Sequence, residues 1–289
     1  MELIVKPKNI ESINYIDSKF SLLLPLRDFA VDYETYFTLE EIRNIKEENK
    51  NKKIYIVINR MIYNEDIEIL KEILLTLENI KITAIFFYDE AVLMLKKELK
   101  LSTELVWNST FMVTNYKTCS YYYDKGVKYA LLSNEITLND MLIIKEKSKI
   151  EPIVMLFGYP TIATSKRPLI KNYNKINNYN DSDHLLITEK TTKTEYILIE
   201  NKHATTFKKN KILNITSVLN TLVEKGFNYY LISEELLDKE IFINILEILK
   251  ESLDNGEISL KDVREIKQLI GGNTGFLYRK TIYKVKKNG

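Results

Sequence analysis

One cysteine, Cys119, and two histidines, His184 and His203, are all that 289 residues supply of the usual soft metal ligands. A lone thiol closes no disulfide within the chain and builds no thiolate cluster. Two histidines make no His-based metal site without carboxylate help. Glycine (8) and proline (5) are scarce, while Lys, Ile, Asn and Tyr are plentiful, a bias of AT-rich coding that carries no function. No apolar run approaches the roughly 20 residues of a membrane helix, and the N-terminus lacks the apolar stretch of a signal peptide. A soluble, cytoplasmic protein is expected. Nor does one charge dominate: 42 Lys+Arg against 40 Asp+Glu leave a formal +2. That argues against a uniformly basic nucleic-acid coat and leaves room for a local basic patch.

What is present points to an α/β protein. Hydrophobic residues make up 45% of the chain, enough for a sizeable core, and the length suits a single α/β barrel. Strand-like and helix-like segments alternate from the start. Apolar runs at Leu3–Val5, Ser21–Leu26, Lys53–Met61 (KIYIVINRM), Ile82–Tyr88 (ITAIFFY), Glu104–Trp107, Tyr129–Ser133 and Ile153–Phe157 read as buried strands. Between them, Thr38 with Glu41 forms a capping-box signature. Asn64 is placed to cap a helix whose stripe runs Ile67, Leu70, Ile73, Leu74, Leu77. Helices are also expected from Asp89 to about Leu99, over Tyr116–Asp124, and from Thr137 to about Lys147. Repeated strand-then-helix units with short connections predict a parallel sheet, and this many of them predict closure into a TIM-barrel-like (β/α) barrel. The short first strands leave its completeness open.

The rhythm breaks after Asn172. The Asn-rich NYNKINNYNDSD reads as a surface loop, and His184–Lys190 and Glu195–Asn201 alternate around Thr191–Lys193 like a β-hairpin. The rhythm resumes near Ser217, with a helix at Val218–Glu224, a strand at Tyr229–Ser233 and a helix at Lys239–Leu253. Residues 1–289 therefore read as one barrel-like domain with an excursion over 174–215. The tail TGFLYRKTIYKVKK alternates as a final strand would. Its aromatics and cations suit base stacking and phosphate contact, or an ordinary edge strand guarded by lysines.

Ligands bind at the carboxyl ends of strands in such folds. Six polar residues stand there: Asn59, Asp89, Asn108, Glu135, Lys166 and Arg167. Asn and Arg suit base edges or phosphates, and Lys suits phosphate. Asp89 and Glu135 serve equally well as caps for the helices that begin beside them. Lys166 and Arg167 do nothing for a helix start. They follow Gly158 and Pro160 in a segment, Thr161 to Arg167, that reads as a loop of hydroxyls and cations. No Gly-x-Ser-x-Gly elbow is present. Cys119 reads as a buried structural thiol, and the two histidines read as surface residues without a zincin partner. No catalytic residue can be named.

Four stretches carry a family resemblance: INRM around Asn59, FFYDEAVL around Asp89, GVKYALLSNEITL from Gly126 to Leu138, and EPIVMLFGYPTIATSKRPLIKNY from Glu151 to Tyr173. Their order resembles the collagenase-like peptidases, peptidase family U32, with Asn134 in the LSNEITL segment where the family usually has Arg. The ending TGFLYRKTIYKVK is similar to that of short bacterial members. The resemblance implies either tRNA wobble-uridine hydroxylation, in which relatives act as a short and a long chain, or proteolysis, as the family name suggests. A non-catalytic scaffold is a third role. In hydroxylating relatives, cysteines beyond the strand-ending glycine hold an iron–sulfur cluster; aligned on Gly158, those places hold Thr161 and Pro168. No cluster is therefore expected in this chain, and the implied partner is a longer, cysteine-bearing family member, with tRNA as the implied nucleic acid.

Overall fold

The computed structural model describes residues 1–180 and 182–279. Eight strands carry the architecture: β1 (Glu2–Lys6), β2 (Ser21–Pro25), β3 (Ile54–Ile58), β4 (Ala84–Phe87), β5 (Glu104–Trp107), β6 (Tyr129–Leu131), β7 (Glu151–Gly158) and, after a long excursion, β13 (Tyr229–Ser233). Each pairs in parallel with the next, and β13 pairs in parallel with both β7 and β1, so the ring closes. This is a TIM-barrel-like fold, complete in its strands.

Period-two alternation sorts the side chains. On β3, Tyr55 and Val57 point into the barrel while Ile54, Ile56 and Ile58 face the helices. On β4, Ala84 and Phe86 point in, and Ile85 and Phe87 point out. The ring's outer face is covered by α1 (Leu39–Glu48), α2 (Ile67–Ile80), α3 (Glu90–Glu98), α4 (Tyr116–Asp124), α5 (Leu138–Lys147), α7 (Leu219–Glu224), α8 (Lys239–Asn255) and α9 (Leu260–Ile270). Helix α1 starts as its sequence requires: Thr38 accepts from the Glu41 amide at 3.1 Å, and Glu41 accepts from the Thr38 amide at 2.7 Å. Only β1 lacks an α-helix before its neighbour; a single 3-10 turn, Glu11–Asn14, covers that gap.

Three expectations need correction. Asn64 opens a 3-10 turn instead; Asp66 stands at the N-cap of α2 without a side-chain capping bond, its carboxylate accepting from the Tyr63 amide at 2.8 Å. The Thr161–Arg167 segment is not a mouth loop: Thr161–Ser165 forms β8. The Asn-rich stretch is helical in its first half, within α6 (Leu169–Asn177). Asn is a poor helix former, but Ile170 and Asn174 are buried, and the Ile170 and Lys171 amides donate to the Glu200 carboxylate. Helix α9, capped by Ser259 on the Asp262 amide, adds an element not among those expected, although Val263, Ile266 and Ile270 recur at helical spacing.

The expected hairpin exists as β9 (His184–Thr188) and β10 (Glu195–Glu200), but it is half of a larger unit. With β11 (Thr205–Lys209) and β8 it forms an antiparallel sheet in the order β8-β11-β10-β9. The excursion thus begins at Thr161. The chain returns through β12 (Leu213–Asn214), antiparallel to the end of β7. Gly158 makes the departure feasible: its φ is +150°, and a Cβ there would lie 2.9 Å from that of Ser233. Of the strand expected of the tail, the part over Thr274–Arg279 is a turn instead, its Leu277 amide donating to the Thr274 carbonyl at 3.0 Å, and the rest lies outside the described residues.

Candidate functional site

Inward alternation on β1 carries Lys6 to the carboxyl end of the barrel, where the small sheet roofs the mouth. Lys208, from β11 of the roof, comes down to meet it. Lys208 Nζ lies 2.8 Å from Asp32 Oδ1 and 3.0 Å from Glu235 Oε2, and Lys6 pairs with the same Glu235 oxygen. Both ammonium groups also donate to the Asp32 carbonyl at 3.3 Å, and Lys6 sits 3.8 Å from the centre of the Tyr33 ring. Thr161 donates to the second Asp32 oxygen, and the Glu34 amide donates to Glu235 at 3.1 Å.

Two cations and two carboxylates thus neutralise one another, with Lys6, Lys208 and Glu235 buried and Asp32 partly exposed on the cleft side. Burial lowers the pKa of Lys6. Burial presses on Lys208 in the same sense, yet Asp32 and Glu235 together raise it. The Glu235 carboxyl is lowered despite burial, by its two lysines. Asp32 has a left-handed backbone (φ +77°), a costly conformation for a non-glycine residue that surrounding structure must impose.

Beside this cluster a cleft of about 490 Å³ opens between barrel mouth and roof. Asn59, Asn108 and Lys166 line it; Asp89, Glu135 and Arg167 do not. Asn59 is engaged by the β2–α1 loop: its oxygen accepts from the Val31 amide at 2.8 Å and its nitrogen donates to the Val31 carbonyl at 3.2 Å. Asp89 caps α3 through the Ala91 amide and accepts from the Ile62 amide, both at 3.0 Å. Glu135 is exposed and lines a separate pocket of about 40 Å³; Thr137, not Glu135, caps α5. Lys166 reaches back from the roof to the Tyr63 hydroxyl, 4.5 Å from that ring's centre. Arg167 is exposed, its carbonyl accepting from Thr205.

The other walls were not foreseen. Arg60, buried on the Phe29 ring, grips Asp66 with two bonds of 2.7 and 2.8 Å and holds its carboxyl at about 2. His203 is not the surface residue expected: it lines the cleft, its Nε2 has no hydrogen bond among the described residues, and desolvation, then Arg60, lower its pKa. Tyr63, Tyr88 and Phe111 expose ring surface to the same space. The strand-end rule applied to β1 and β13 would have found Lys6 and Glu235. Nothing in the Lys-rich Phe207–Asn210 stretch marks Lys208 as buried.

Cys119 is buried in α4, its thiol pushed up to about 12 by desolvation. At the two places where the family resemblance implied cluster cysteines, Thr161 is engaged with Asp32 and Pro168 precedes α6. Clusters are held chiefly by thiolates, so the donors present there do not fit one.

An eight-stranded α/β barrel with a roofed cleft at the carboxyl ends of its strands is the class the geometry defines. The chain matches peptidase family U32 over residues 25–282 and belongs to that family. It is 25% identical to tRNA hydroxylation protein P2 of Bacillus subtilis across 268 residues, covering 86% of this chain and 87% of that one. It is 25% identical to tRNA hydroxylation protein P1 of the same organism over 47% of this chain and 33% of the relative. An uncharacterized protease of Methanocaldococcus jannaschii is 31% identical over 47% of this chain. The chain matches only about a third of the length of these last two. No helix among the described residues is long and apolar enough to cross a membrane.

Proposed function

We propose that this chain is the cluster-free subunit of a cytoplasmic tRNA wobble-uridine hydroxylation system, contributing RNA contacts while a longer, cysteine-bearing relative carries the oxidative chemistry. The observation that carries this reading is the cleft, which combines an amide (Asn108), a cation (Lys166) and open aromatic rings, the groups that bind single-stranded RNA. Similarity to a tRNA hydroxylation protein over most of both chains supports it. With Cys119 as the sole thiol, iron held by cysteines belongs to the companion.

A proteolytic role has less support. Proteolysis needs an activated nucleophile or a ligated metal. The one thiol is buried and its pKa raised, and His184 pairs with Asp183 on the exposed roof edge.

Deleting the gene is expected to remove hydroxylated uridine from bulk tRNA, read by mass spectrometry of nucleosides; an unchanged profile sinks the proposal. Purified without air, the chain alone is expected to be colourless. An iron-loaded brown monomer would overturn the division of labour.

A further inference from the structure

We infer that the chain forms a two-fold dimer through the open edge of its roof, β9 of one copy pairing antiparallel with β9 of a second. The inference is independent of the RNA reading. Strand β9, His184–Thr188, lies at the end of the small sheet and pairs there with β10 alone. Just beyond its two ends, the Glu200 amide donates to the Asp183 carbonyl at 2.8 Å and the Glu189 amide to the Thr194 carbonyl at 2.9 Å. With the register of the pair, those bonds fix the alternation. Leu185 and Ile187 turn their amides and carbonyls to β10, while His184, Leu186 and Thr188 turn theirs outward. The Ser182 hydroxyl takes both groups of His184, accepting from its amide at 3.2 Å and donating to its carbonyl at 2.7 Å. Those of Leu186 and Thr188 meet nothing among the described residues.

Natural edge strands are ordinarily guarded by lysine, proline or a bulge. The opposite edge, β8, is guarded: its register with β11 shifts at Phe207/Lys208, and Lys166 follows it. Strand β9 is not. Its HLLIT sequence holds no lysine or proline, its register with β10 is unbroken, and Leu186 is 56% exposed.

The register selects a second copy as the occupant. With Ile187 facing Ile187 across the two-fold axis, Leu186 of each copy stands opposite Thr188 of the other. Four backbone bonds then form, and they use every amide and carbonyl left free at those two residues in both copies. The Ile187 side chains meet as a non-hydrogen-bonded pair, the kind that approaches most closely, and a β-branched match suits it. Leu185 falls opposite Glu189 and Asp183 opposite Thr191, so no two carboxylates meet. An axis through Leu186 would set Asp183 against Glu189 and take His184 from Ser182. The face that carries Ile187 also carries Glu200 and Thr205, to which the first turn of α6 is bonded. Tyr173, Ile176 and Tyr179 stand exposed on or just past that helix. In the dimer both copies of α6 lie on one side of a joined eight-stranded sheet and add apolar surface beside the seam. A formal charge of +2 per chain opposes association only weakly.

The test uses the full chain. Sedimentation equilibrium at micromolar concentrations is expected to give twice the mass of one chain. Leu186→Pro removes an amide that faces away from β10, so the fold keeps its bonds, and the dimer dissociation constant should rise about a hundredfold. A single-chain mass for the unaltered protein at every concentration overturns the inference, and so does a dimer that Leu186→Pro leaves intact. Cysteine substitutions read the axis directly. Ile187→Cys is expected to form an interchain disulfide under mild oxidant, because opposed Cα atoms there lie within bridging range, whereas Leu186→Cys is not. Cys119 is buried and stays silent. Crosslinking through Leu186→Cys alone sinks the proposed pairing. The crosslink needs no disruptive variant, so misfolding of Leu186→Pro cannot mask the answer. A chain that stays single but binds the longer relative, in a complex that Leu186→Pro abolishes, assigns the edge to that relative and overturns self-pairing. None of these outcomes alters the nucleoside test of the subunit proposal.

Discussion

The barrel and its roof are held by different forces. Each barrel strand alternates apolar residues between an interior cluster and a helix-facing layer, so burial of hydrocarbon on both faces carries the stability. The roof has little such burial. On β9, three of five residues are exposed, and the sheet ends in open edges at β8 and β9. It is fastened to the barrel by Lys208 between Asp32 and Glu235, by Thr161 on Asp32, and by Asn201 on the Ala30 carbonyl and Tyr36. The difference teaches that a cleft between the two can be reshaped at the roof without unfolding the barrel.

Breaking each side separately sharpens that contrast. Phe86→Ala, inside the barrel, is expected to cost about 4 kcal/mol and to lower the urea midpoint of the whole chain. Lys208→Met leaves the buried Glu235 and the partly exposed Asp32 carboxylates with one cation, a loss of about 3 kcal/mol. Hydrogen exchange should then accelerate over residues 161–209 before it does in the barrel strands. Uniform acceleration would show that roof and barrel open together.

Asp66→Asn is expected to cost about 2 kcal/mol, since it removes two charge-assisted bonds from Arg60. With the Asp66 carboxyl held at about 2, its contribution is complete above the ordinary carboxylate value near ~4. It is lost as pH falls from there through the folded value. The variant should therefore show a flatter stability profile in that acid window; an unchanged profile would assign the acid sensitivity elsewhere. Thr38→Ala, which removes the α1 cap, should cost about 1 kcal/mol in the same urea assay. Lys166→Ala on the exposed rim should move stability by less than about 0.5 kcal/mol while weakening RNA binding. A large stability loss there would mean the Tyr63 contact is structural.

Much of the barrel was legible because its signals are local. The capping box at Thr38, the helix start at Thr137, the apolar runs of β3, β4 and β7, and the helix at Tyr116–Asp124 all stand where pattern put them. The site was legible in part. Strand-end reasoning brought Asn59, Asn108 and Lys166 to one cleft, but Asp89 is occupied as a cap, while Glu135 and Arg167 lie outside it. It missed Tyr88 and Phe111, whose rings look like ordinary apolar residues until the loops around them are folded.

The sequence by itself determined the alternation of strands and helices and the single thiol, because periodicity, capping and composition act over a few residues; the family was carried by the resemblance of four stretches. Only the tertiary structure decided that Thr161–Ser165 is a strand, that an Asn-rich stretch is helical, and that Lys6, Asp32, Lys208 and Glu235 meet. Those outcomes depend on partners distant along the chain. A lysine written like any surface lysine becomes buried only when two carboxylates from separate loops close around it.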